Sequence, residues 1–160
     1  MPGELMDRFL ARLIDFAILI VPTIILYFIL AAIFLNGFVY STGEWLIFYL
    51  FFAVLTVAID LGYLAYFESS RGQSIGKQVM KLQVFGPDGT SNPTMEQAVR
   101  RNIWLAANLL SIVPFVGSLL AGLASIGAVI LIAVGINSDA VRRQHWFDHF
   151  AGETTVMKVG

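Results

Sequence analysis

The sequence predicts an all-α polytopic membrane protein, folded as a single domain over residues 1–160. Composition and two apolar runs carry that prediction. The chain is 58% hydrophobic and 13% charged, with a mean hydropathy of +0.77. Soluble domains run at about 45–50% apolar and about 25% charged. So few charges leave too little polar surface for a free-standing soluble enzyme, and the apolar content excludes a disordered chain. Residues 13–35 and 45–67 each run 23 residues with a single charge, Asp15 and Asp60 respectively. About 20 residues of helix cross the roughly 30 Å of bilayer hydrocarbon, and in lipid a lone segment satisfies its backbone only as a helix.

The third apolar region, residues 103–136, is 34 residues long and uncharged. It is too long for one upright span, and Pro114 and Gly117 interrupt it. The reading is a short or re-entrant helix over 103–113, a break, and a full span over 118–136. The alternative is one long tilted helix kinked at Pro114. Gly117, Ala121, Ser125 and Ala128 put small residues on one part of its surface, which permits close helix contact.

Charge placement orients the spans. The link between the first two, residues 36–44, has no Lys or Arg. Residues 68–102 carry Arg71, Lys77, Lys81, Arg100 and Arg101. The N-terminal segment carries Arg8 and Arg12, and the tail Arg142, Arg143 and Lys158. By the positive-inside rule the N-terminus and residues 68–102 are cytoplasmic. The basic tail joins them if residues 103–136 enter and return. The first run is longer than the 7–15 residues usual for a signal-peptide core and a second span follows, so it reads as retained. The expected location is the inner (cytoplasmic) membrane, multi-pass. Residues 78–85 and 154–159 alternate weakly, and Pro87-Asp88-Gly89 is a turn signal. The two stretches can pair as a two-stranded unit in a small cytoplasmic loop region only if both lie on one side.

The candidate site residues are the charges near or inside the apolar runs. A carboxylate in hydrocarbon faces a bundle interior or water. Asp15 and Asp60 each lie about 10 Å along their helices from the cytoplasmic end, at 1.5 Å per residue. They can form a proton- or cation-handling pair, or each can be held structurally by a basic side chain. Arg8 and Asp15 share a helix face, and Arg12 and Asp15 are spaced to pair. Arg8 and Arg12 read as anchors within reach of anionic lipid. Of Arg100 and Arg101, one can turn inward to neutralise Asp15 or Asp60.

Other chemistry is poorly supported. Residues 71–78 miss the phosphate-loop pattern at its first Gly and its last hydroxyl residue, so a tight turn is expected there. His145, Asp148 and His149 would share a face of a helix over 144–150, but a metal site is not expected. Cys is absent, no nucleophile–base–acid set can be assembled, and no enzyme activity or cofactor is expected. The net charge of −1 argues against nucleic acid as a partner.

Three motifs resemble those of the RDD family of small prokaryotic membrane proteins. Arg8-Phe9-Leu10-Ala11-Arg12-Leu13-Ile14-Asp15 resembles the family's Arg-x-x-Ala-x-x-Ile-Asp. Gly72-Gln73-Ser74-Ile75-Gly76-Lys77 resembles its Gly-x-Ser/Thr-x-Gly-Lys. Arg143, Gln144, Asp148, Ala151 and Gly152 match its tail, where Glu153 replaces the family's Thr. The resemblance implies a polytopic inner-membrane protein. It also implies transport, including cation–proton exchange, or a role beside other membrane machinery. Asp60 lies outside the family marks. The expected function is proton-coupled transport of a monovalent cation or small solute through a homo-oligomer in the lipid bilayer. An accessory or assembly subunit of a larger membrane complex is the alternative, and a lipid-modifying enzyme a distant third.

Overall fold

In a computed structural model that describes residues 1–35, 41–113 and 115–160, the chain is mainly helical with one small sheet. Three helices are long and apolar enough to cross a membrane: α1 (Leu5–Phe34), α2 (Thr42–Arg71) and α5 (Gly117–Ser138). Between α2 and α5 lie α3 (Ile75–Val79), β1 (Leu82–Phe85), α4 (Met95–Asn102) and a 3₁₀ segment, Ile103–Ile112. After α5 come α6 (Trp146–Phe150) and β2 (Thr155–Lys158).

Each long helix extends beyond its apolar run. α1 spans 30 residues, about 45 Å, and carries Arg8, Arg12 and Asp15 in its first three turns. Pro22 lies inside it and offers no N–H to the preceding turn. The Thr23 hydroxyl donates to the Leu19 carbonyl at 2.8 Å, an added bond in the turn where Pro22 leaves the Ile18 carbonyl without its usual N–H. A capping box between Ser41 and Glu44 starts α2. Gly72 ends it in the left-handed region at φ 70°, where a side chain would be strained.

The broken third region enters and returns. Its 3₁₀ segment continues α4 without a gap, and α5 packs back along it. The return is tight: a Cβ on Gly117 would sit 2.5 Å from the Leu110 carbonyl oxygen and 2.8 Å from that of Ser111. Gly117, Ala121 and Ala128 form part of the buried side of α5, so these small residues serve contacts within the chain. At the far end of α5, Gly135 lies against His145. The 3₁₀ segment and α5 therefore lie back against each other, which excludes the single kinked helix. Pro114 itself lies outside the described residues, as do 36–40 in the link after α1.

The sheet ties the ends of the chain to the loop after α2. β1 and β2 are antiparallel, with Leu82 opposite Lys158 and Val84 opposite Val156. Gly3 N–H donates to Val156 O, Lys158 N–H donates to Met1 O, and Pro2 bridges to Met157. Leu82, Val84, Val156 and Ala11 form a fully buried core between the sheet and the start of α1. The first strand is shorter than the alternation over 78–85 suggested. The Ser74 side chain accepts from the Lys77 N–H at 3.3 Å and caps α3, which draws Gln78 and Val79 into helix. In the turn after β1, Asp88 accepts from Ser91 and Thr90. The Ser91 hydroxyl and these backbone N–H groups hold its carboxyl down to about 2.

Away from this end, the long helices expose apolar side chains, among them Ile24, Phe28, Leu55, Leu119 and Ile130. Such faces require lipid or another apolar partner.

Candidate functional site

The polar interior is gathered at the end of the bundle where α1 starts, α2 ends and the sheet sits. Asp15 is buried there. It accepts three hydrogen bonds: from Ser74 Oγ at 2.6 Å, the Gly76 N–H at 2.8 Å and Tyr63 Oη at 2.9 Å. These donors come from α2 and from the cap and first turn of α3, so one carboxylate fastens three elements together. The Gly-x-Ser-x-Gly-Lys motif has its reason here. Ser74 caps α3 and bonds Asp15, and Gly76 allows α3 to lie against α1. A Cβ on Gly76 would sit 2.0 Å from the Ala11 carbonyl oxygen. Asp15 is braced by neutral donors, and no Arg12–Asp15 ion pair forms among the described residues.

Beside Asp15 lies a network of charges. Glu68, fully buried near the end of α2, forms an ion pair with Lys77 and stands 3.7 Å from Arg101 Nη1. Its Oε2, the oxygen nearer Arg101, accepts from Asn102 Nδ2 at 3.1 Å. Arg12 donates to Asn102 Oδ1 at 2.9 Å and lies over the Trp104 ring. Burial pushes the Lys77 ammonium down to about 8, with Glu68 opposing.

Asp148 is the second hub. It is fully buried at the centre of α6. Arg101 Nε reaches Oδ1 at 2.7 Å, Arg8 Nη1 lies 3.6 Å from Oδ2, and the Thr154 hydroxyl donates to Oδ1 at 3.2 Å. Burial alone would raise the Asp148 carboxyl, but Arg101, His145 and Arg8 outweigh it and hold it below the ordinary carboxylate value. His145 Nε2 is 3.2 Å from Oδ2. Burial pushes the imidazole down to about 4, with Asp148 opposing and Arg101, Arg8 and Arg12 adding to the fall. His145 is therefore neutral near pH 7, and its backbone N–H donates to Asp148 Oδ2 at 3.3 Å.

The eight residues singled out from sequence divide into distinct places. Arg8, Arg12, Asp15, Arg101 and Asp148 come together in the polar end. Arg101 is the inward member of its pair, and its carboxylate partners are Asp148 and Glu68 rather than Asp15 or Asp60. Arg100 faces out, paired with Glu96 and lying over the Phe150 ring. Arg143 stands in the turn before α6 at φ 50° and forms no ion pair among the described residues. His145 and His149 do not share a face: α6 starts only at Trp146, and His149 points outward to Glu153.

Asp60 is separate from the network. It is 8% exposed, and its Oδ1 is buried without a hydrogen bond. One turn earlier on α2, Thr56 Oγ1 is also buried without a partner. Asp60 lines a cavity of about 420 Å³ together with Phe16, Trp104, Asn108, Ser125 and Ile130. Glu68, Lys77, Ser74, Tyr63 and Asn102 were missed as site residues from sequence. Only Ser74 and Lys77 carried a signal, through the motif that contains them.

The family model described as the RDD family matches residues 2–152, almost the whole chain. No curated protein and no solved structure matches.

Proposed function

The chain belongs to the RDD family, and on that premise we propose that this membrane protein carries a monovalent cation or small solute across the inner membrane in exchange for protons, with Asp60 as the proton-handling group. The observation that supports the reading is the unbonded Asp60 carboxylate oxygen beside a cavity at the depth of the apolar runs. Ionisable groups in that setting mark ion pathways, and a buried polar atom without a partner needs an explanation. Asn108 and Ser125 add oxygens to the same cavity, and oxygen donors suit hard monovalent cations. Asp15 plays a bracing part in this reading because both its oxygens already accept hydrogen bonds. A bundle of three long helices is thin for a pathway, so the carrier is a homo-oligomer, with the charged end in the cytoplasm by the positive-inside rule.

The exposed apolar faces of the three long helices favour a second reading, an accessory or assembly subunit seated in a larger membrane complex. Purification in mild detergent separates the two: a homogeneous homo-oligomer supports transport, and a stoichiometric unrelated partner supports assembly. The direct test is reconstitution into sealed vesicles holding a pH-sensitive dye, with pulses of Na⁺, K⁺ and Li⁺. Wild-type protein is expected to show cation-dependent proton flux, and Asp60→Asn to abolish it without altering the oligomer. Absence of flux in the wild type, or equal flux in the variant, overturns the transport reading.

A further inference from the structure

A second cavity, of about 520 Å³, opens between the first turns of α1 and the last turns of α5. One part of its wall is cationic: Arg8, Arg12, Lys77 and Arg101. The rest is apolar and includes Phe9, Trp104, Val129, Ile132 and Ala133. A charged floor joined to an apolar wall is the shape of an amphiphile with an anionic head.

The hydrogen bonding at the cationic floor is incomplete. Nη1 of Arg8, of Arg12 and of Arg101 is in each case buried and without a hydrogen-bond acceptor. The contacts of Arg8 Nη1 to Asp148 and of Arg101 Nη1 to Glu68 are 3.6 Å and 3.7 Å, too long for hydrogen bonds. Arg12 has no carboxylate within ion-pair distance among the described residues, and its polar partner is the neutral amide of Asn102. Glu68 and Asp148 are the carboxylates within ion-pair distance of the cations at this floor, and Asp15 and Asp60 act on Arg12 from farther away. Buried guanidinium groups left with unused donors call for an acceptor, and phosphate matches the planar fork of Arg.

We propose that this cavity holds an anionic phospholipid, its phosphate on Arg8, Arg12 and Arg101 and an acyl chain along the α1–α5 wall. The site lies at the end of the spans where the basic residues gather, the level at which a leaflet presents its headgroups. A zwitterionic choline lipid would bring a further cation beside the four that line the floor. The proposal does not depend on the transport reading, because Asp60 lines the other cavity.

The test uses the full chain in mild detergent, with lipid binding read by native mass spectrometry and by the shift of the thermal midpoint. Phosphatidylglycerol is expected to bind saturably and raise the midpoint, while phosphatidylcholine and glycerol phosphate do neither. Arg12→Gln should weaken phosphatidylglycerol binding about tenfold, the scale of one charge-assisted bond. Ala133→Trp leaves the charges untouched and fills the chain groove, so it should also weaken binding about tenfold while the protein stays folded. The proposal is overturned if phosphatidylcholine binds as well as phosphatidylglycerol, if glycerol phosphate alone reproduces the shift, or if Ala133→Trp binds like the wild type.

Discussion

Replacing Asp15 with Asn tests whether this carboxylate braces the fold. Its Oδ1 accepts from Gly76 and Tyr63, and its Oδ2 from Ser74. An Asn side chain keeps one oxygen, so two of these bonds survive as neutral ones and the third meets an NH₂ group. Bonds to a charged group contribute about 1.5–3 kcal/mol each, and neutral ones about 1 kcal/mol. Weakening two and losing one, with partial relaxation, puts the expected cost at about 2–4 kcal/mol. Glu44→Gln is the control. Glu44 is only partly buried, and its side chain accepts the Ser41 N–H at 2.7 Å, a bond that Gln retains, so its cost should stay below about 0.5 kcal/mol. Unfolding in mixed micelles, driven by SDS and followed by tryptophan fluorescence, measures both. Adding Ser74→Ala to Asp15→Asn should cost less than Ser74→Ala alone, because the shared bond is already gone. If Asp15→Asn unfolds within about 0.5 kcal/mol of Glu44→Gln, Asp15 is not a brace and the assignment of roles between the two membrane carboxylates fails.

Gly76→Ala should reduce folded protein sharply, by about 3 kcal/mol or more of stability, since the new methyl would meet the Ala11 backbone at 2.0 Å; a wild-type melting curve would refute the tight α1–α3 contact. Cysteines placed at Asp88 and Val159 should label from one face of sealed vesicles and one at Gly43 from the other. Labelling of Val159 from the Gly43 side is incompatible with the β1–β2 ladder. His145 links stability to acid: its pKa falls from 6.5 to about 4 on folding, so the unfolded chain binds more protons between those values and stability drops as pH falls through that window. Between about pH 7 and pH 5 the loss should be about 2 kcal/mol, and His145→Gln should flatten it. An unchanged slope in that variant would move the acid sensitivity away from His145, whose charged neighbours are Asp148, Arg101, Arg8 and Arg12.

The spans were legible because apolar length is a local property, and the pairing of the loop after α2 with the tail because both stretches alternate. Asp15 and Asp60 stood out for the same reason, as single charges in long apolar runs. Glu68, Lys77 and Asn102 did not stand out, because charges just beyond a span are ordinary and only the fold reveals that these are buried. The partners were illegible too. Arg101 meets Asp148 across α5, and nothing local tells Arg101 from Arg100, which lie on different faces of α4. The extended alternation over 78–85 misled at its start because the Ser74 cap prevailed over it. The 3₁₀ conformation of residues 103–112 left no mark in composition.

The meeting of the first residues with β2 has a consequence for biogenesis. Met1, Pro2 and Gly3 bond to Val156, Met157 and Lys158, and Asp148 is the carboxylate that answers Arg8 and Arg101. Both partners are translated after all three long helices. During synthesis, α1 therefore waits in the bilayer with Arg8 uncompensated, and long-range closure of this kind is slow. The interval before α6 arrives is when the chain is open to chaperones, to membrane proteases and to wrong partners. Any variant that delays docking of Asp148 will be seen first as lost protein rather than as lost activity.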